Sequence, residues 1–401
     1  MQHGGGLYWA AQMPRYPRFS QASEGLSAQV YTSLLGLAQA SGNEVFPLNV
    51  GDTHLEPPES ASVTALSKHR FDGMHRYADV RGEPVLLDAI VGDLARRGRP
   101  VACENIQVTP GGTSGLDLAC RALLAPGDEV LLLAPYWPLI RGIISACGAL
   151  AVEVPLYTEL DKPGFDLRAT LERALTRRTT AIYVNSPNNP TGVVLSERQV
   201  DELAAFAAAH DLWLLCDEAY ERLSYRDPAP RAVWMHPLLR DRSVVLHTLS
   251  KSYGLSGARV AYLHAAEAAL GRIAGLSTFA TYCAARPMQV AGARALASED
   301  GESWVAAARK QYESAAKMTA EALRMAPPAS GTFVFFDTRP LLRGGERPHA
   351  LLERVAHSGV VLTPGSVAGR DYGDWARLCF TAVPLPRLER ALATLERVLY
   401  A

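Results

Sequence analysis

No run of this 401-residue chain reaches the roughly 18 uninterrupted apolar residues that a membrane span requires. A dominant charge is missing too: 40 basic side chains face 41 acidic ones, a formal net charge of −1, with no long run of either sign. That balance excludes a nucleic-acid-binding arm, a basic membrane-surface helix and an acidic tail, so neither a nucleic acid nor a membrane is expected as partner. Cysteine is sparse and scattered. Cys103, Cys120, Cys147, Cys216, Cys283 and Cys379 form no CxxC pair, which argues against a metal centre or a disulfide framework and for a reducing, cytoplasmic setting. Residues 1–20 have no apolar core flanked by basic residues and are not read as a signal peptide. There is no internal repeat and no low-complexity linker.

What is present is an ordinary globular composition, 48% hydrophobic with a mean hydropathy of zero. At ~100–200 residues per domain, the length fits two domains, or one large α/β unit with a smaller appendage. The middle of the chain alternates short apolar runs with helical patterns. Glu83 to Arg97 places Leu86, Leu87, Ile90, Val91 and Leu94 on one helical face. The runs Ile106 to Thr109, Glu129 to Leu133, Thr180 to Val184, Leu212 to Cys216 and Val244 to Thr248 are short, apolar and bounded by turn residues, as strands buried on both faces should be. A mostly parallel sheet sandwiched by helices is expected. After about Met288 the rhythm changes, with a helical stretch through Tyr312 to Leu323, a strand over Thr332 to Phe336 and a closing helix from Arg387 to Leu399. The expected division is therefore an N-terminal segment, 1–58, returning to pack on a smaller domain; a large domain, 59–288; and the small domain itself, 289–401.

Chemistry concentrates at the ends of the apolar runs. The stretch Leu212 to Tyr220 carries Asp217 and Glu218 to the carboxyl end of a strand, the edge where open α/β sheets bind ligands; taken alone, a helix-capping Asp and a solvated Glu explain it as well. The next strand leads into Thr248, Ser250, Lys251 and Gly254, with Arg259 following. Lysine forms Schiff bases with carbonyls when desolvation or a neighbouring cation makes its amine neutral, and Arg259 offers both a cation and a fork for phosphate. Asn185 to Gly192 turns through Pro187 and Pro190 and presents amide side chains at the same edge. Thr109 to Gly115 joins strand to helix with free N–H groups and hydroxyls, an anion site that is neither GxGxxG nor a Walker A loop.

These elements, in this order, resemble the class I and II aminotransferase family of pyridoxal-phosphate enzymes, of the fold type shared with aspartate aminotransferase. The resemblance runs from Leu48-Asn49-Val50-Gly51-Asp52 through Tyr77 to Gly82, Asn188 to Gly192, Asp217 to Tyr220, Ser250-Lys251 with Arg259, and Thr363 to Ser366, ending at Ala376 to Phe380. It implies an α/β large domain with a mostly parallel seven-stranded sheet and a smaller α+β domain built from both termini. It further implies pyridoxal 5'-phosphate as cofactor, and an amino acid and a 2-oxo acid as substrates taken in turn. Elimination, cyclisation or oxidation of an amino acid on the same fold is the alternative outcome.

The family's roles carry over position by position. Lys251 would hold the cofactor and then shuttle the substrate proton; Asp217 would pair with the ring nitrogen; Asn189 and Tyr220 would hydrogen-bond the ring's phenolic oxygen. The phosphate would rest on Gly112 and Thr113, enclosed by Thr248, Ser250 and Arg259, with Tyr77 reaching in from a second subunit, which implies a homodimer. Trp137 would stack on the ring, with Tyr136 the alternative one position away. Arg377 would grip the substrate α-carboxylate, helped by Asn189 and the backbone of Gly51. Thr248 stands where serine is usual, and Thr113 where aspartate-using relatives can carry lysine. His75 and Arg76 are read as a solvated loop. Two readings stand for the aromatic stretch Tyr8, Trp9, Tyr16 and Phe19: a cover over the site entrance, or packing on the small domain.

Overall fold

In the strand Glu129–Ala134 all residues are buried, and their side chains divide by parity. Val130 and Leu132 join one apolar cluster, with Leu116, Leu118 and Ile140, while Leu131 and Leu133 join another, with Leu171, Leu203 and Phe206. Period-2 alternation with apolar residues on both faces leaves neither face fit for water, so helices must cover both. The computed structural model, which describes residues 20–23, 26–27, 34–68, 73–228 and 230–400, meets that demand. The expectations for Tyr8, Trp9, Tyr16 and Phe19 lie outside the described residues.

Seven strands form the central sheet in the order Ile106–Thr109, Ala261–Ala265, Ser243–Thr248, Trp213–Asp217, Thr179–Asn185, Glu129–Ala134 and Leu150–Pro155. All neighbouring pairs are parallel except the two made by Ala261–Ala265. The apolar runs of the sequence are thus the strands of the sheet, with ends shifted by a residue or so. Two further strands carry weaker signals: Ala261–Ala265 includes Tyr262 and His264, and Leu150–Pro155 lies at the sheet edge and is only partly buried. Local signals set the helix ends. Ser196 and Gln199 form a reciprocal capping box at the start of Glu197–Ala209, and Gly111, at φ 86°, turns the chain into Gly112–Leu123.

A second sheet, of antiparallel strands in the order Thr363–Pro364, Trp375–Cys379 and Phe333–Asp337, belongs to the C-terminal part. The helix Leu385–Tyr400 buries Leu388, Ala391, Leu392, Leu395 and Leu399, one stripe at helical spacing. The helix Glu299–Ala322 begins well before the Tyr312 suggested by pattern alone, because Ser298 caps it by accepting from the Gly301 N–H. Phe46–Pro47 pairs in parallel with Val360–Val361, and Leu34, Phe46 and Leu48 share a core with Leu351 and Leu395. This packing brings Gly51 and Arg377 over the carboxyl ends of the parallel strands.

Candidate active site

Register decides which residues meet. Asn185 lies opposite Asp217 and Asp217 opposite Leu246, so two strands end at one level and the third runs two residues further, to Thr248. Their ends and the start of the helix Gly112–Leu123 enclose a cavity of about 150 Å³. Its walls include Gly112, Thr113, Trp137, Asn189, Asp217, Tyr220, Thr248, Ser250, Lys251 and Arg259. Residues spread over almost 150 positions of sequence are thereby gathered in a space the size of a small ring system.

Lys251 follows directly from the strand Ser243–Thr248, on the short helix Leu249–Ser252, and its Nζ donates to the carbonyl oxygen of Gly51. Burial lowers its proton affinity below that of an ordinary lysine; the charge of Asp52 opposes the shift, and those of Arg377 and Arg259 add to it. A buried amine so depressed is suited to attack a carbonyl. Asp217, also buried, accepts from the Tyr183 hydroxyl at 2.6 Å through Oδ2 and from the Ala219 N–H at 3.0 Å through Oδ1. Burial pushes its carboxyl up; the two hydrogen bonds and the nearby His247 pull it back.

Asn189 donates through Nδ2 to the Tyr220 hydroxyl at 3.2 Å, and its own Oδ1 accepts from Arg377 Nη1 at 3.2 Å. Arg377, from the strand Trp375–Cys379, is buried over the Phe333 ring and donates also to the Asn49 carbonyl (2.9 Å) and Thr363 Oγ1 (3.3 Å). A guanidinium fixed in this way is suited to bind a carboxylate, which repays its desolvation.

The opposite end of the cavity is built for an anion. Gly112 and Thr113 open a helix, Thr248 Oγ1 donates to Ser250 Oγ at 2.9 Å, and the Arg259 guanidinium hangs over the turn. A Cβ on Gly111 would stand 2.3 Å from Arg259 Nη2, so a side chain there would have to displace the guanidinium. The donor set fits pyridoxal 5'-phosphate: an amine for the aldehyde, a carboxylate for the ring nitrogen, an indole for the ring face, and a helix start with hydroxyls and arginine for the phosphate.

The remaining expected residues lie as follows. Trp137 lines the cavity, whereas Tyr136 is buried and donates its hydroxyl to Glu153 Oε1 at 2.7 Å. Gly51 meets the site through its carbonyl, and a Cβ there would press within 2.5 Å of the Phe333 ring. Tyr77 is exposed, outside this chain's own cavity, with its ring 5.0 Å from that of Tyr282. His75 and Arg76 are exposed. Glu218 turns away toward Glu221, Arg97 and Arg99, and burial, then Glu221, pushes it up to about 8. Sequence reasoning missed Tyr183 and Ser256 as neighbours of the site, and placed Asn185 at the sheet edge without giving it a role. For Tyr183 and Asn185 a signal existed, since they stand two apart on a strand and so face the same way, toward Asp217.

Fold and donor set together define a pyridoxal-phosphate-dependent transferase. The aminotransferase class I and II family model matches residues 43–395. The chain is 30% identical to an aspartate aminotransferase of Musicola paradisiaca, over 90% of each chain. It is 31% identical to an arginine–pyruvate transaminase of Pseudomonas aeruginosa, over 91% of this chain and 93% of the relative. Among solved structures, a double mutant of Thermus thermophilus aspartate aminotransferase superposes with a TM-score of 0.86 at 28% identity, covering 96% of this chain and all of the other. N-succinyldiaminopimelate aminotransferase from Mycobacterium tuberculosis superposes with the same score at 26% identity over 95% of this chain. The chain belongs to the class I and II aminotransferases. It is a pyridoxal-phosphate-dependent aminotransferase, and its substrates are amino acids and keto acids.

Proposed function

We propose that Lys251, Asp217 and Arg377 carry the reaction, in which an L-amino acid surrenders its amino group to the enzyme and a 2-oxo acid then collects it. The observation that supports this reading is their convergence: a depressed lysine amine, a buried ionisable carboxylate and a buried guanidinium meet around Asn189 and Gly51. Pyridoxal phosphate, when bound, supplies the aldehyde that takes the amine and the ring that accepts the electron pair left at the substrate Cα.

The side chains then divide the work. Lys251 would hold the cofactor's aldehyde carbon, and its amine would take up and return the proton at the substrate Cα. Asp217 keeps the ring nitrogen protonated. Asn189 and Tyr220 donate toward the phenolic oxygen. Trp137 covers one ring face. Gly112, Thr113, Thr248, Ser250 and Arg259 hold the phosphate dianion, Thr248 keeping the hydroxyl of the serine usual there. Arg377 grips the α-carboxylate, with Asn189 and the Gly51 backbone beside it. That carboxylate is common to aspartate, arginine and pyruvate, the compounds that name the relatives, so Arg377 serves donor and acceptor alike.

We further propose that the working unit is a cytoplasmic homodimer in which Tyr77 of each chain reaches the phosphate of the other. In support, Tyr77 and Phe279 are 81% and 93% exposed on a single chain, and apolar surface of this kind is suited to an interface. The division into 1–58, 59–288 and 289–401 fits the same reading, with the shared core of the two termini acting as one body. Absorption spectroscopy tests the assignment. Cofactor-loaded protein should be yellow, lose that colour with one amino acid of a panel and regain it with a 2-oxo acid; Lys251→Ala should do none of these. An alanine variant with the wild-type spectrum would exclude Lys251.

A further inference from the structure

Behind Asp217 lies a buried hydrogen-bonded chain that the roles above leave unused. Tyr183 stands on the strand Thr179–Asn185, beside the strand that ends in Asp217, and its hydroxyl donates to Asp217 Oδ2 at 2.6 Å. Asn185, two residues on, donates through Nδ2 to the Asp217 backbone carbonyl at 2.8 Å, and the Tyr157 hydroxyl donates to the Asn185 carbonyl at 2.9 Å. Burial and the neighbouring Asp217 raise the Tyr183 phenol well above its ordinary value, so it stays protonated and acts as a donor. The titratable groups facing the pair are the Tyr157 and Tyr220 phenols, the Cys216 thiol, Glu218 beside Asp217, and His247, which pairs with Glu221.

Resting on the assignment of Asp217 to the ring nitrogen, we propose that Tyr183 is a positioning residue for transamination: its hydroxyl fixes the Asp217 carboxylate and keeps the shared proton on the ring nitrogen. The argument is one of alternatives. A carboxylate and a pyridine in a buried site can exist as an ion pair, or as a neutral acid beside a neutral ring, and loss of water favours the second. A short O–H···O⁻ bond to the carboxylate favours the first, and by accepting at Oδ2 and Oδ1 from Tyr183 and Ala219 the carboxylate is held in one orientation. No atom changes hands at Tyr183 itself; it biases where one proton resides between Asp217 and the ring.

The test is nitrogen NMR of holoenzyme loaded with cofactor labelled at the ring nitrogen, compared between wild type, Tyr183→Phe and enzyme carrying 3-fluorotyrosine at position 183. Phe removes the donor, and the resonance should move toward that of a neutral ring, with kcat falling about tenfold and KM little changed. Fluorotyrosine is a stronger donor of nearly the same size, and should move the resonance the opposite way; it also serves if the Phe variant fails to fold. A merely structural role would lower Tm and leave the resonance in place, and an unmoved resonance in the folded variants overturns the proposal. Asp217→Asn separates the two levels. If it moves the resonance while the position-183 variants do not, only Tyr183 falls; if it too is silent, the Asp217 assignment falls with it.

Discussion

Gly111 and Lys251 show how much of the site rests on single atoms. Gly111 has φ of 86°, and a Cβ would lie 2.3 Å from Arg259 Nη2, so Gly111→Ala must both strain the turn and displace the guanidinium. The expected result is cofactor binding weakened by about 1–3 kcal/mol, read from a fluorescence titration of the apoprotein with pyridoxal phosphate. Affinity equal to wild type would mean that Arg259 does not close on the phosphate. For Lys251 the measurable consequence is a pH dependence. In the apoprotein burial holds the folded-state amine below its ordinary value, whereas the unfolded chain keeps its proton up to about pH 10.4. Between those two values the unfolded state binds more protons, so the cost of burying the ammonium is full below the window and disappears above it. Lys251→Met apoprotein should therefore resist urea better than wild type near neutrality, and its advantage should shrink as pH climbs toward about 10. An advantage that stays constant with pH would show that the amine is not desolvated in the folded state.

At the scale of elements, strands were legible where burial on both faces left a continuous apolar run, as in Glu129–Ala134 and Ser243–Thr248. They were obscure where one face meets water, as in Leu150–Pro155, or where Tyr262 and His264 interrupt the run in the single antiparallel member. The proposed catalytic groups were legible for a related reason: loops that follow buried strands end at one sheet edge, so Asp217, Asn189 and Lys251 could be placed together without coordinates. Tyr183 was not, because inside an apolar strand a tyrosine reads as core, and only the register of the next strand shows that its hydroxyl meets Asp217. Helix starts have readable local causes. Ser196 and Gln199 cap Glu197–Ala209 reciprocally, the Gln199 N–H donating to Ser196 Oγ and the Ser196 N–H to Gln199 Oε1. Ser196→Ala should thus cost about 1 kcal/mol in chemical unfolding and leave the amino-transfer rate unchanged, since the helix start lies outside the cavity. A rate that fell with stability would tie this helix to the site.

For the whole molecule, the decisive feature is a tyrosine in the wrong place for a monomer. The family resemblance would assign Tyr77 to a phosphate site, yet it lies exposed beside Tyr282, outside the cavity its own chain forms. A shared site resolves the conflict and can be tested by complementation. Tyr77→Ala and Lys251→Ala homodimers should each be impaired, the first in cofactor affinity and the second in all amino transfer. Mixing the two chains under conditions that exchange subunits gives hybrids in which one site combines both lesions and the other has neither. If the phosphate of each site is held by the partner's tyrosine, the unlesioned site pairs Lys251 of the Tyr77→Ala chain with Tyr77 of the Lys251→Ala chain. The mixture should then bind pyridoxal phosphate with a fraction of wild-type affinity sites and recover amino transfer in proportion to the hybrid population. If Tyr77 serves its own chain instead, every hybrid site carries one lesion, and no wild-type affinity returns at any mixing ratio.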